Sequence, residues 1–196
     1  MQVYLDNAAT TPMDVQVIEK MTEVMHNCFG NASAIHGQGR KAKAVVEMAR
    51  KEIATLLNCA SSELIFTGSG TEADNMALRC AVNDLNVTHI ITSEIEHKAV
   101  LDTAKELQAK GLARITFIKL DALGRADLED LENIAKQNPG SLISLMHANN
   151  EIGTLNDITA ISKIARANDC YFHTDTVQTI GHYPINLKDW DVDFVA

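Results

Sequence analysis

Basic charge, proline and paired cysteines are all scarce in this chain, and the first and last of these shortages each remove a class of function. Seventeen Lys and Arg stand against 26 Asp and Glu, a formal net charge of -9 over 196 residues, and the basic residues form no cluster. Phosphate-backbone contacts need a local excess of Lys and Arg, so general nucleic-acid binding is a poor reading. The four cysteines, Cys28, Cys59, Cys80 and Cys170, show no Cys-x-x-Cys spacing and meet no His pair at zinc-ligand spacing. A disulfide framework and a metal site are therefore not expected, and the thiols read as structural or incidental. Residues 1–6 hold neither a basic leader nor a long apolar stretch, so a cytoplasmic location without membrane attachment is the expectation. Only three prolines punctuate the chain, and no repeat or low-complexity tract divides it.

What is present is an ordinary folded composition, 46% hydrophobic and 22% charged. Residues 1–14 read as an arm and 15–196 as one domain, or the larger part of one. Apolar residues recur at three- and four-residue steps in Val17, Ile18, Met21, Val24 and Met25, and again from Ala42 through Val45, Val46, Ala49, Ile53, Leu56 and Leu57. This spacing predicts two helices ahead of the first strand. Short β-branched runs follow at 64–66, 89–92, 115–118, 142–146, 171–174 and 193–195, with helical spacing between most of them. Such alternation implies an α/β fold: a mostly parallel sheet with helices on both faces. Ligands of these sheets gather beyond the C-terminal strand ends.

Candidate chemistry lies at those ends. Thr67-Gly68-Ser69-Gly70-Thr71-Glu72 precedes a helical pattern, and glycines before a helix start suit a phosphate. The same residues also read as a Gly-rich turn capped by Thr71. Gly68-x-Gly70-x-x-Ala73, with Glu94 at the next strand end, resembles a dinucleotide fingerprint as well, although two helices come before it. His97 opens a helix at the same edge, where an imidazole could stack on a planar ring and exchange protons, or be purely structural. Asn149 and Asn150 crowd the next turn, as turn formers or as amide donors to a phenolate oxygen. Asp175 ends a buried run, with Gln178 three residues on. A buried carboxylate needs donors or a cation, which a helix cap or a protonated ring nitrogen would provide.

Five segments in register resemble the cysteine desulfurases of the class V aminotransferase group, within the fold-type I pyridoxal-phosphate (PLP) enzymes. They are Tyr4-Leu5-Asp6-Asn7-Ala8-Ala9-Thr10-Thr11, Thr71-Glu72-Ala73-Asp74-Asn75, Glu96-His97-Lys98-Ala99-Val100, Ala148-Asn149-Asn150-Glu151-Ile152-Gly153 and His173-Thr174-Asp175-Thr176-Val177-Gln178. The resemblance implies PLP as cofactor, with Gly70 and Thr71 on its phosphate and His97 stacked on its ring. It places Asn150 and Gln178 on the phenolic oxygen and Asp175 on the ring nitrogen. It further implies L-cysteine as substrate, L-alanine and an enzyme persulfide as products, a sulfur-acceptor or scaffold partner protein, and a homodimer at full length. The family's Asn-Pro-Ser-Ser-x-His loop reads Asn31-Ala32-Ser33-Ala34-Ile35-His36 here, without the proline. Its Schiff-base lysine, substrate-binding arginine and persulfide cysteine match no position, so an inactive fragment lacking the small C-terminal domain is the expectation. A non-catalytic binding module, a selenocysteine lyase and an aminotransferase remain as alternatives.

Overall fold

A computed structural model describes residue 1 and residues 3–196. The chain divides into two compact units, Met1–Ile65 and Phe66–Ala196. In the first, residues 3–14 hold no helix or strand. Helix α1 (Val15–Asn27) starts at Asp14, whose carboxylate accepts the Gln16 N–H at 2.8 Å. Its periodic residues Val17, Ile18, Met21 and Met25 are exposed, and α1 buries no side chain. Helix α2 (Gly37–Leu57) is capped by His36 and stops at Asn58, which takes the left-handed conformation that ends many helices. In the Asn31–His36 loop two backbone N–H groups converge on Asn31. Asn31 accepts the Ser33 N–H through its side chain and the Ala34 N–H through its carbonyl, both at 2.9 Å. Gly39 packs directly against the Ala34 carbonyl, where no Cβ fits.

The second unit is a five-stranded parallel sheet of β1 (His89–Thr92), β2 (Arg114–Phe117), β3 (Leu142–Ser144), β4 (Tyr171–Thr174) and β5 (Phe194–Val195), ordered β2-β1-β3-β4-β5. Helices α3 (Gly70–Asn83), α4 (Lys98–Ala109), α5 (Leu128–Lys136), α6 (Ile158–Ala167) and α7 (Leu187–Trp190) complete it. The strand period of two sorts the core between two faces. Ile90 and Leu142 pack with Leu78, Val82, Val100 and Leu107 of α3 and α4, whereas Ile91, Ile143 and Phe172 pack with Leu131 and Ile161 of α5 and α6. Helices therefore cover both faces, as the alternation implies.

One expected strand is absent. Residues 64–66 form no strand, and Ile65 and Phe66 are exposed. A strand needs a ladder of backbone hydrogen bonds, and these residues join none in the five-stranded sheet of the described residues. β-Branched and aromatic character alone does not supply one.

Candidate active site

The sheet order reverses direction between β1 and β3, and a parallel sheet opens a crevice at such a switch point. The turns after β1, β3 and β4 all end on this edge, and they bring His97, Asn149, Asn150, Asp175 and Gln178 to it. Two hydrogen-bond bridges tie the first two turns together. Glu96 accepts the Ser93 hydroxyl at 2.6 Å and, across the switch point, the Met146 N–H at 2.8 Å. Asn149 donates to the Ile95 carbonyl at 2.7 Å and accepts the N–H groups of Glu151 and Ile152. Asn149 is thus a structural brace, as its affinity for turns allows. Asn150 is half-buried and donates to Glu151 at 2.8 Å.

His97 caps α4, with Nδ1 accepting the Ala99 N–H at 3.2 Å, and its ring is exposed. Thr71 and His97 line one cleft of about 300 Å³ with Asn75, Asp102 and Thr103. At the start of α3, Ser69 accepts the Glu72 N–H, and the Glu72 carboxylate turns back to the Gly68 N–H at 2.6 Å. Among the described residues no acceptor meets the N–H groups of Gly70 and Thr71. They project from a 14-residue helix with its partial positive charge. A Cβ on Gly70 would fall 2.5 Å from Cγ2 of Val177, so the helix start lies against the turn that follows Asp175. Gln178, half-buried, belongs to the same turn.

Asp175 is 6% exposed and accepts the Val177 N–H at 2.9 Å. Burial, and then the charge of Asp74, push its carboxyl above the usual range, while the Val177 N–H, His173 and His97 pull it down. Glu96 is buried too and is pushed up to about 8, chiefly by burial, with Asp175 and Asp74 adding to the rise and its two hydrogen bonds opposing it. Three acids therefore crowd one edge. Among the described residues no Lys or Arg side chain pairs with any of them.

The comparisons with known proteins bear on this geometry directly. The profile of the family described as "Aminotransferase class-V" matches residues 3–196. The chain belongs to this family. Class-V relatives cover it almost completely. It is 45% identical over 197 residues to a protein named cysteine desulfurase IscS from Dictyoglomus turgidum, covering 100% of this chain and 50% of that one. A cysteine desulfurase IscS from Methanosarcina thermophila is 42% identical, covering 99% and 48%. Among solved structures, one named NifS-like protein superposes with a TM-score of 0.94 at 37% identity, covering 100% of this chain and 54% of its own. Another, named SspA in complex with cysteine, gives 0.91 at 34%, covering 98% and 55%. The chain spans about half the length of the curated relatives it matches.

Membership of the class-V family, with its fold-type I architecture matched over the whole chain, gives the dinucleotide reading of Gly68, Gly70 and Ala73 no support. Among the described residues no three His, Cys, Asp or Glu are placed to hold a metal ion, and no helix is long and apolar enough to cross a membrane. Two buried acids escaped sequence reasoning as site residues. Glu96 was legible only as the neighbour of His97. Asp74 left a clearer signal: it lies on the buried stripe of α3 with Ala77, Leu78, Ala81 and Val82, where an acid is out of place.

Proposed function

We propose that this chain is the cofactor-binding part of a PLP-dependent cysteine desulfurase. One observation carries the reading: Asp175, a buried acid that pairs with no Lys or Arg among the described residues, sits against a helix start whose first N–H groups meet no acceptor there, joined by the Gly70–Val177 contact. A group that brings a ring N–H⁺ to the acid and a phosphate to the helix start fits both needs. The protein named SspA in complex with cysteine supports cysteine as the substrate class, and the names of the other relatives support desulfuration.

Each candidate residue then takes a role. Gly70 and Thr71 hold the phosphate, and Asp175 accepts from the ring nitrogen and keeps it protonated. His97 covers the ring face at the cleft wall, with Nδ1 committed to the Ala99 N–H and Nε2 left for proton transfer. Gln178 and Asn150 serve the phenolic oxygen; Asn150 must turn its amide away from Glu151 to do so. Bound PLP supplies an electron sink for bonds at the α-carbon of an amino acid. Burial raises the thiols of Cys59, Cys80 and Cys170 above the ordinary value, so none of these three is an activated thiolate. We assign the persulfide cysteine and the Schiff-base lysine to residues outside these 196.

A full-length cytoplasmic homodimer with a sulfur-acceptor partner, and residues 1–14 as an arm, complete the proposal. The exposed apolar face of α1 supports burial against another subunit or domain. The test is PLP binding and sulfide release from L-cysteine by the full-length protein. Asp175→Ala should weaken PLP binding at least about tenfold, the scale of a lost charge-assisted hydrogen bond. Unchanged binding removes Asp175 from the site, and PLP binding without sulfide or alanine release refutes the desulfurase assignment.

A further inference from the structure

The pairing of β3 with β4 runs on past both strands and ends at His147. Beyond the paired strand residues, the Leu145 N–H donates to the His173 carbonyl at 3.2 Å and the His147 N–H to the Asp175 carbonyl at 2.9 Å. Strand alternation puts the His147 side chain on the face of Ile143 and Leu145, which α5 and α6 cover. There its ring meets Trp190 edge-on, with centroids 4.8 Å apart, and Tyr183 at 6.2 Å. Nδ1 of the ring lies 2.9 Å from the Thr179 hydroxyl oxygen, and that hydroxyl gives its own proton to the Thr176 carbonyl at 3.2 Å. Nδ1 therefore carries a proton and donates it to Thr179. Burial pulls the His147 ring below its ordinary value, so the ring is neutral near pH 7 and Nδ1 holds its one proton. Thr176 and Thr179 are both fully buried.

We propose that His147 is a positioning residue for Asp175, holding from behind the two peptide carbonyls on which the Asp175 turn is built. The inference rests on the reading of Asp175 given above. The first carbonyl is that of Asp175 itself, held by the His147 N–H. The second is that of Thr176, which accepts the N–H groups of Thr179 and Ile180, both at 2.8 Å, and the Thr179 hydroxyl that the imidazole supports. The Asp175 carboxylate adds a hold within the same turn, on the Val177 N–H at 2.9 Å. That bond fixes the carboxylate relative to its turn, and His147 fixes the turn relative to β3. An acid that must meet a ring nitrogen needs both, because a misplacement of about 0.5 Å is enough to loosen such a contact. The His147 ring faces the α5–α6 side and does not line the cleft of Thr71 and His97, so its action passes through the backbone of Asp175 and Thr176.

The test compares two probes in the full-length protein: PLP, and its analogue with the ring nitrogen replaced by a C–H. The ratio of their affinities reports the contact at Asp175 without any turnover. The native protein should prefer PLP, and Asp175→Asn should cut that preference about tenfold or more. His147→Phe keeps an aromatic ring against Trp190 but loses the Nδ1 donor; it should cut the preference roughly three- to tenfold and leave the analogue's affinity within about twofold. His147→Asn gives up the ring but sets an amide N–H where Nδ1–H stands, and should keep the preference within about twofold. Thr179→Val removes the hydroxyl, should behave as His147→Phe does, and stands in for it if that variant does not fold. Equal weakening of both probes by His147→Phe would mark a merely structural role and overturn the proposal. A loss with Asn as large as with Phe would credit the packing of the ring rather than its N–H, and overturns it too. So would an unchanged ratio in the Phe and Val variants where Asp175→Asn lowers it, a result that leaves the Asp175 reading intact. If Asp175→Asn leaves the ratio unchanged, that reading itself fails, and this inference with it.

Discussion

Replacing Glu96 by Gln should remove a large pH dependence of stability. Glu96 has an ordinary value of 4.5 and is held at about 8 in the folded chain by burial. The unfolded chain therefore releases this proton at lower pH than the folded one. Between about 4.5 and about 8 the folded state binds more protons, so stability falls as pH rises through that window and is level beyond it. One pKa unit is worth about 1.4 kcal/mol, so the 3.5 units between 4.5 and about 8 amount to roughly 5 kcal/mol at full effect. Gln preserves the shape and both contacts: its oxygen accepts the Met146 N–H and its amide donates to the Ser93 oxygen. Glu96→Gln should thus match the parent near pH 5 and exceed it by several kcal/mol near pH 8.5. Urea unfolding of both proteins from pH 5 to 9 measures the difference, in which titrating groups remote from Glu96 cancel. A difference that stays constant across this range would refute the assignment of Glu96 as a buried neutral acid.

Two further expectations concern His89 and Gly70. His89 bridges the hydroxyls of Ser141 and Thr116 and is lowered to about 4, chiefly by burial and then by Arg114. The stability it contributes is present above 6.5 and is lost as pH falls through about 4; an NMR titration of its ring showing a midpoint near 6.5 would contradict this. Gly70→Ala should weaken binding of inorganic phosphate, because the new methyl meets Val177 at 2.5 Å, and adding Val177→Ala should restore it. Calorimetry on the single and double variants checks this, and an independent rather than compensating effect would show that the two residues do not touch.

The two-faced α/β architecture was legible because its signals are local. Ile90 and Ile91 alternate along one strand, and Leu78, Ala81 and Val82 recur along one helix, and each pattern requires a sheet face to bury it. Residues 64–66 carried the same signal as β1 but have no strand beside them, and pairing is a property of two segments rather than one. The periodicity of α1 was equally clear, yet its apolar stripe is exposed. Periodicity specifies a face and says nothing of what covers it.

The sequence by itself determined the strand–helix alternation, the placing of His97, Asn150, Asp175 and Gln178 after apolar runs, and the family resemblance, since each depends on spacing along one chain. Only the tertiary structure decided how those turns meet at the β1–β3 switch point, that Asn149 braces them while Asn150 bonds Glu151, and that Glu96 clamps one turn to the next. It also decided the charge balance. Asp74, Glu96 and Asp175 come from three separate segments; the water that folding removes raises the carboxyls of Glu96 and Asp175, and the charge of Asp74 brought beside them adds to both rises.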